Sequence, residues 1–325
     1  MQRRVATLAV AATMAISGVA VAAIATVDRP ATVGQVADRV TPPGPRVGGC
    51  TVFPPDNWWN RNVASDPLHP DSARIIAKIQ SVGGDNLHPD FGENPDYGIP
   101  FVVVPVGQPL VPITYDAYGD ESDPGPFPVP LDAPVEGGTA ANGDRHVIAL
   151  RSDTCELFEL YRSFQSGGGW IADSGARFNL RSNALRPLGW TSADAAGLPI
   201  LPGLVRFDEV AAGEIRHAIR ITFAQTRDGY ILPATHAASS RADLTLPPMG
   251  MRLRLRADFG VAGLTGQARV IAVAMQQYGV IVADNGSNWF FQGAPDPGWN
   301  DDDLSQLKGI SGLNFEVVDT GPIQQ

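Results

Sequence analysis

The sequence lacks the short motifs that identify several common enzyme classes. It contains no G-x-S-x-G nucleophile elbow, no H-E-x-x-H zinc motif, no phosphate-binding P-loop and no G-x-G-x-x-G dinucleotide motif. The first absence argues against a serine hydrolase of the common α/β type. The others remove the usual signatures of zinc proteases and of nucleotide-binding enzymes.

Cysteine is scarce, because only Cys50 and Cys155 occur in 325 residues. Two distant cysteines without a C-x-x-C spacing give no support for a structural zinc site. In an exported chain an even number of cysteines usually forms disulfides, so we predict a Cys50–Cys155 bond. This bond would close a loop of roughly 100 residues and stabilise the fold by a few kcal/mol. Two free thiols are the alternative.

Positive charge is also scarce. Lys and Arg number 24 against 34 Asp and Glu, which gives a formal net charge of −10. Loss of Arg3 and Arg4 with an N-terminal signal removes two positive charges and leaves −12. An acidic surface repels phosphate backbones, so we expect no nucleic-acid partner. It also disfavours a highly anionic polymer unless a local basic groove overrides the average charge.

The one long apolar run lies at the N-terminus. Arg3 and Arg4 precede an uncharged stretch, Val5 to Val27, that is rich in small residues. This layout is typical of a secretory signal. We predict a signal peptide over 1–25, a flexible linker over 26–49 and a single domain over 50–325, secreted to the extracellular or cell-envelope side and free of the membrane after cleavage. An uncleaved membrane anchor is the alternative, since the run is long enough to span a bilayer.

Turn-forming residues are abundant, with 35 Gly and 28 Pro separating short apolar runs. This punctuation predicts a mainly-β fold, a β-sandwich or jelly-roll-like core with a few short peripheral helices. The predicted strands cover 100–106, 146–150, 157–161, 170–172, 176–180, 216–223, 249–256, 280–283 and 288–292. The predicted helices cover 70–82, 192–196, 208–212, 267–278 and 301–308. We expect hairpins across 151–156 and across the turn-forming 284–287 segment.

Three of the five histidines are candidates for acid–base chemistry. His146 stands at the mouth of a strand, His217 lies within one, and His236 follows the next. If 215–223 and 229–233 paired as a hairpin, His217 and His236 would approach each other and form a general base or a metal pair. The alternative is that each is a lone polar residue bonded to the backbone.

Carboxylates give a second set of candidates. Asp284 ends a strand and opens a turn, where it would serve as an acid or nucleophile beside Trp289; a purely structural Asx turn is the alternative. Glu159 and Tyr161 share a strand face at i, i+2. With Arg220 and a histidine they would form a lyase-like set in which arginine neutralises a uronate. The alternative is an outward polar stripe.

A run of three acids, Asp301 to Asp303, would suit Ca²⁺. Helix capping explains the run more simply, because acids are favoured at the positive end of a helix. We therefore predict no metal site and no cofactor.

The six tryptophans favour a carbohydrate ligand. They lie in segments rich in Gly, Pro and Asn, where an exposed indole face would stack on a sugar. The alternative is that they are ordinary core residues.

From Phe53 to its C-terminus the chain resembles a family of secreted bacterial proteins that carries no assigned reaction. The likeness rests on seven segments: PDNWWN (55–60), LHPDFG (87–92), YGIP (97–100), GWTSADAAGLPI (189–200), HAIR (217–220), PATH (233–236) and YGVIVADNG (278–286). The resemblance implies one intact domain and brings no catalytic residue.

Together these observations predict an extracellular carbohydrate-active enzyme, a polysaccharide hydrolase or lyase, that acts as a monomer on a polysaccharide or cell-surface glycan. The predicted catalytic residues are His146, Glu159, His217 and Asp284. The predicted substrate-binding residues are Tyr161, Arg220, His236 and Trp289. The alternative from another class is a non-catalytic carbohydrate-binding or surface adhesion domain.

Overall fold

Short apolar segments separated by turns assemble into a mainly-β fold in the computed structural model, which describes residues 44–325. These residues form one compact unit. The predicted signal peptide and most of the predicted linker lie outside the described residues. The strands, in chain order, are β1 (Arg46–Val47), β2 (Cys50–Thr51), β3 (His88–Asp90), β4 (Val102–Val104), β5 (Ile113–Tyr115), β6 (Val147–Arg151), β7 (Glu156–Tyr161), β8 (Phe164–Ser166), β9 (Gly169–Ala172), β10 (Ser174–Asn179), β11 (Ile219–Phe223), β12 (Arg252–Leu255), β13 (Val280–Asn285), β14 (Phe290–Gln292) and β15 (Phe315–Val318).

The helices are few and short, as predicted. They are α1 (Ser72–Ser81), α2 (Phe207–Ala211), α3 (Gly266–Gln277) and α4 (Asp301–Ser305), with 3₁₀ turns at Gly119–Glu121, Leu201–Gly203, Val261–Gly263, Gln306–Gly309 and Gly312–Asn314. Helix α1 buries Ile75, Ile76 and Ile79, the residues whose spacing predicted it. The predicted helix over 192–196 is wrong, because this segment forms turns.

The largest sheet has six strands in the order β15-β12-β13-β11-β14-β3. Strand β11 pairs in parallel with β13 on one side and antiparallel with β14 on the other. The predicted hairpin across 284–287 is therefore wrong: the chain leaves β13, crosses the end of β11 and returns on its far side. The turn-forming residues of this segment serve a crossover instead.

A four-stranded sheet, β10-β7-β6-β4, has both of its faces covered. On β6, Ile148 and Leu150 join the main core with the six-stranded sheet, whereas Val147 and Ala149 join a second core. The second core also contains Trp170 of the three-stranded sheet β5-β9-β8. This layering is sandwich-like and confirms the predicted fold class. The predicted β6–β7 hairpin is confirmed as well, and β4 forms one edge of this sheet.

The Cys50–Cys155 disulfide is present and confirms the predicted pairing. It joins β2, next to the start of the described chain, to the turn between β6 and β7. Among residues 44–325, no helix is long and apolar enough to cross a bilayer.

Candidate active site

Asp284 owes its orientation to an irregularity between β11 and β13. Ile221 pairs with Val282, but Thr222 pairs with Asp284, so Ala283 is an extra residue in β13. One inserted residue turns the following side chains to the opposite face of the strand. Asp284 therefore lies on the same face as Thr222, at the end of the sheet where the crossover begins.

Arg220 lies on that face too, two residues before Thr222. Its Nε and Nη2 atoms donate to the two carboxylate oxygens of Asp194, at 3.2 and 2.8 Å. Both side chains are buried, with 3% and 0% exposure. Burial alone would lower the pKa of Arg220, but the Asp194 carboxylate raises it above its usual value. The arginine is thus permanently charged, and its counter-ion is fixed.

His146, immediately before β6, faces the same region. Its Nδ1 lies 2.6 Å from Glu136 Oε2, and its Nε2 lies 3.0 Å from the carbonyl oxygen of Ala193. A carboxylate and a carbonyl both accept, so the ring donates from both nitrogens and is an imidazolium. Burial lowers the pKa of His146, but Glu136 more than offsets this and raises it to about 9. Neither nitrogen is free to act as a base.

Glu159 lies on β7 with no exposed surface. Its carboxylate accepts the backbone N–H groups of Ile200 and Leu201 at 2.9–3.0 Å. Burial raises its pKa to about 7, although these two bonds oppose the shift. Glu159 holds the segment after Leu198 against the four-stranded sheet, and it does not line the cavities described next.

Two cavities of about 420 and 220 Å³ adjoin at the end of β13. Asp144, Asp284 and Asn285 line both of them. Tyr161 and His236 line the larger cavity, and Glu136, His146 and Arg220 line the smaller one. The larger volume alone falls within the range of small-molecule sites in proteins.

Asp284 has the electrostatic character of a proton donor. Burial raises its pKa, the negative charge of Asp194 raises it further and Arg220 opposes both, so that the pKa is about 7. Close to neutral pH the carboxyl group is therefore partly protonated, and it stands where the two cavities meet. Perturbed carboxyl groups in a cleft are typical of catalytic acids.

The structure separates the predicted site residues into two groups. Tyr161 lies with its ring centroid 5.6 Å from that of His146, and His236 Nδ1 lies 2.7 Å from the carbonyl oxygen of Ala195. These two residues join His146, Arg220 and Asp284 around the cavities.

His217 and Trp289 lie elsewhere. His217 is fully buried and pairs with Glu209 at 3.0 Å. The predicted approach of His217 to His236 is wrong, because β11 pairs with β13 and β14 and not with 229–233. Trp289 is fully buried against Phe223 and Phe315 and lines neither cavity.

Sequence reasoning missed several residues of the site: Asp90, Glu136, Asp144 and Gln292 at the cavities, and Asp194, which is buried against Arg220. Asp194 had a usable signal, because an acid within an alanine-rich apolar run must be paired if the run is buried. Glu136 lies in a Gly/Pro-rich loop where local sequence gives no such signal.

The site does not match a metal centre. Within residues 44–325, no group of three or more His, Cys, Asp or Glu side chains is arranged to hold a metal ion. Of the three acids Asp301 to Asp303, Asp303 caps α3, because its Oδ2 accepts the N–H of Gln267, and Asp301 Oδ1 accepts the N–H of Glu93 in a loop. Comparison with protein-family models, with curated proteins and with solved structures finds no match for this chain.

Proposed function

We propose that this protein is an exported glycoside hydrolase that acts on a polysaccharide, with Asp284 as its general acid. The observation that carries the proposal is a carboxyl group with its pKa raised to about 7 at the junction of two cavities. Glycosidic bonds are cleaved when such an acid protonates the leaving oxygen. The apolar N-terminal run and the Cys50–Cys155 disulfide support export.

The second carboxylate of the mechanism is Asp144. It is the other acid that lines both cavities, and it is exposed. Glycoside hydrolysis needs a second carboxyl group as base or nucleophile, and the position of Asp144 at both cavities suits that role. Asp284, which is half-buried, and Asp144, which is exposed, form a pair of carboxyl groups in unlike surroundings, as glycoside hydrolysis requires.

Hydrolysis is favoured over lyase chemistry by the state of Arg220. A lyase of the predicted kind needs an arginine free to neutralise a uronate. The guanidinium of Arg220 is instead bound by both oxygens of Asp194. Four carboxylates line the smaller cavity (Asp90, Glu136, Asp144 and Asp284), and they would repel a uronate.

A non-catalytic sugar-binding role needs exposed tryptophan faces. Trp59, Trp170, Trp289 and Trp299 are buried, with exposures of at most 3%. Trp58 and Trp190 are half-buried. The perturbed carboxyl group at the cavity junction, which simple stacking does not require, favours an enzyme.

The test is incubation with a panel of neutral, amino-bearing and uronate-bearing polysaccharides. We expect new reducing ends and no absorbance from unsaturated uronates. Asp284→Asn should lower the rate by about 10²- to 10⁴-fold, the usual contribution of a general acid. The matched control is Asp302→Asn, the same change at an exposed acid of α4. Unsaturated products, or full activity in Asp284→Asn, would contradict the proposal.

A further inference from the structure

The smaller cavity contains more negative charge than its positive charges can balance. Asp90, Glu136, Asp144 and Asp284 line it together with the cations Arg220 and His146. Arg220 is matched by Asp194, which lies behind it, and His146 is matched by Glu136. Asp90 and Asp144 therefore face the cavity without a cationic partner among these groups, and Asp284 adds a third carboxyl group, which is partly protonated near neutral pH because its pKa is about 7.

Gln292 gives a second and independent observation. Its side chain is 6% exposed and lines the smaller cavity. Its Oε1 has no hydrogen-bond partner in the described part of the chain. A buried acceptor without a partner costs free energy unless a ligand or a water donates to it. The side chain that carries this acceptor lines the same cavity as the unmatched acids.

We propose that the smaller cavity binds the protonated amino group of a hexosamine unit, so that the substrate is a glycan with free amino groups. This inference rests on the proposed function and names its substrate class. An ammonium group has three donors and no acceptor, which matches a wall of carboxylates and one amide oxygen. Asp90 on β3 and Gln292 on β14 are neighbours in register and supply two of these acceptors from adjacent strands.

The other charge classes fit less well. A uronate would meet the acids Asp90 and Asp144 of the cavity wall, and Arg220 cannot turn to it without leaving Asp194. A neutral sugar would fill the space and leave the negative charges unmatched. An N-acetylated sugar would replace the three ammonium donors by one amide N–H.

The test uses four monosaccharides that differ mainly in charge and contain no glycosidic bond to cleave: glucosamine, glucose, N-acetylglucosamine and glucuronate. Binding to the full chain is measured by calorimetry at about pH 6, where the sugar amine is protonated. We expect glucosamine to bind at least about ten-fold more tightly than glucose or N-acetylglucosamine, and glucuronate most weakly. Equal affinities, or tighter binding of glucuronate, would overturn the inference.

Two variants test whether the preference for glucosamine comes from the smaller cavity. Asp90→Asn keeps the shape of the side chain and should reduce the preference to about three-fold or less, and Gln292→Met should reduce it less. Asp302→Asn should leave it unchanged. The wild-type series tests the inference even if a cavity variant fails to fold. A full preference retained in folded Asp90→Asn would place the amine elsewhere and overturn the assignment.

Further arms separate this inference from the proposed function. Ethanolamine carries the amine without the ring; if it binds as tightly as glucosamine, the site does not recognise a sugar and the inference fails. Glucosamine preference without cleavage of any glycan supports the ammonium site and removes the hydrolase. Cleavage of neutral glycans without any preference for an amine supports the hydrolase and removes the ammonium site.

Discussion

Residues 44–325 contain two histidine–glutamate pairs in which the histidine is buried, and the surroundings of the two pairs differ. His146 and Glu136 lie 2.6 Å apart on the wall of the smaller cavity, beside Arg220 and Asp284. His217 and Glu209 lie 3.0 Å apart in the core, and the second oxygen of Glu209 is 2.6 Å from Arg206. Neither cavity of the site reaches the second pair.

The difference shows that a histidine beside a carboxylate is not by itself a catalytic pair. His217 has a neighbour of the right chemistry but no route for a substrate. His146 lies at a cavity, yet both of its ring nitrogens are occupied. Its contribution is a fixed positive charge near Asp284, so we assign it as a positioning residue.

The largest expected effect comes from breaking the pair in the core, His217 and Glu209, which we call the core pair. Glu209→Gln removes the carboxylate that contacts both His217 and Arg206, and it leaves Arg206 only the more distant carboxylate of Asp208, at 3.7 Å. Loss of one partner of a buried pair costs about 3–5 kcal/mol, and we expect this loss in the free energy of unfolding. Urea denaturation measures it. The folded fraction should keep the wild-type pH–rate profile, and a shifted profile would contradict a purely structural role.

The pair at the smaller cavity, His146 and Glu136, should make the stability of the wild-type protein depend on pH. The pKa of His146 is raised from 6.5 to about 9, so its contribution is complete below 6.5 and is lost as the pH rises through 9. The loss is at most about 3 kcal/mol. Urea unfolding at several pH values measures it. In Glu136→Gln this loss of stability between pH 6.5 and about 9 should disappear. A decline like that of the wild-type protein would show that another group titrates in this pH range.

A smaller effect should appear in the kinetics of the same Glu136→Gln variant. Without Glu136, burial lowers the pKa of His146 and the ring becomes neutral. The positive charge that favours ionised Asp284 is then lost, so the pKa of Asp284 rises above about 7. We expect the alkaline limb of kcat/KM to move up by at most about one pH unit. Glu209→Gln is the matched control, and a limb that stays in place would contradict the assigned role of His146.

Local sequence correctly predicted the elements in which the spacing of apolar residues itself determines which face is buried. The β6–β7 hairpin and helices α1 and α3 are of this kind. The turn-forming residues at 284–287 misled the prediction because a crossover and a hairpin use the same residue types. Only the pairing of β11 between β13 and β14 decides between the two.

The remaining differences between prediction and structure also come from contacts with residues that are distant in sequence. Arginines alternate with apolar residues along β12, yet Arg252 and Arg254 are buried. They donate to backbone carbonyls of Trp58 and Val63, almost 200 residues away in sequence. Asp284 was found as a strand-end acid, whereas the Ala283 bulge that orients it depends on the strand beside it. A single sequence therefore identifies the acid but not the contacts that orient it.

The smallest expected effect distinguishes the two chemistries that the sequence left open. Tyr161 lines the larger cavity next to His146. In a hydrolase its hydroxyl contacts substrate at most, so Tyr161→Phe should lower kcat/KM by about two- to ten-fold, the value of one hydrogen bond. In a lyase the same phenol would transfer the proton, and its loss would cost about 10²- to 10⁴-fold. Rates on the best polysaccharide of the panel, measured beside Asp284→Asn, decide between them. A loss as large as that of Asp284→Asn would restore the lyase and leave Asp284 without its assigned role.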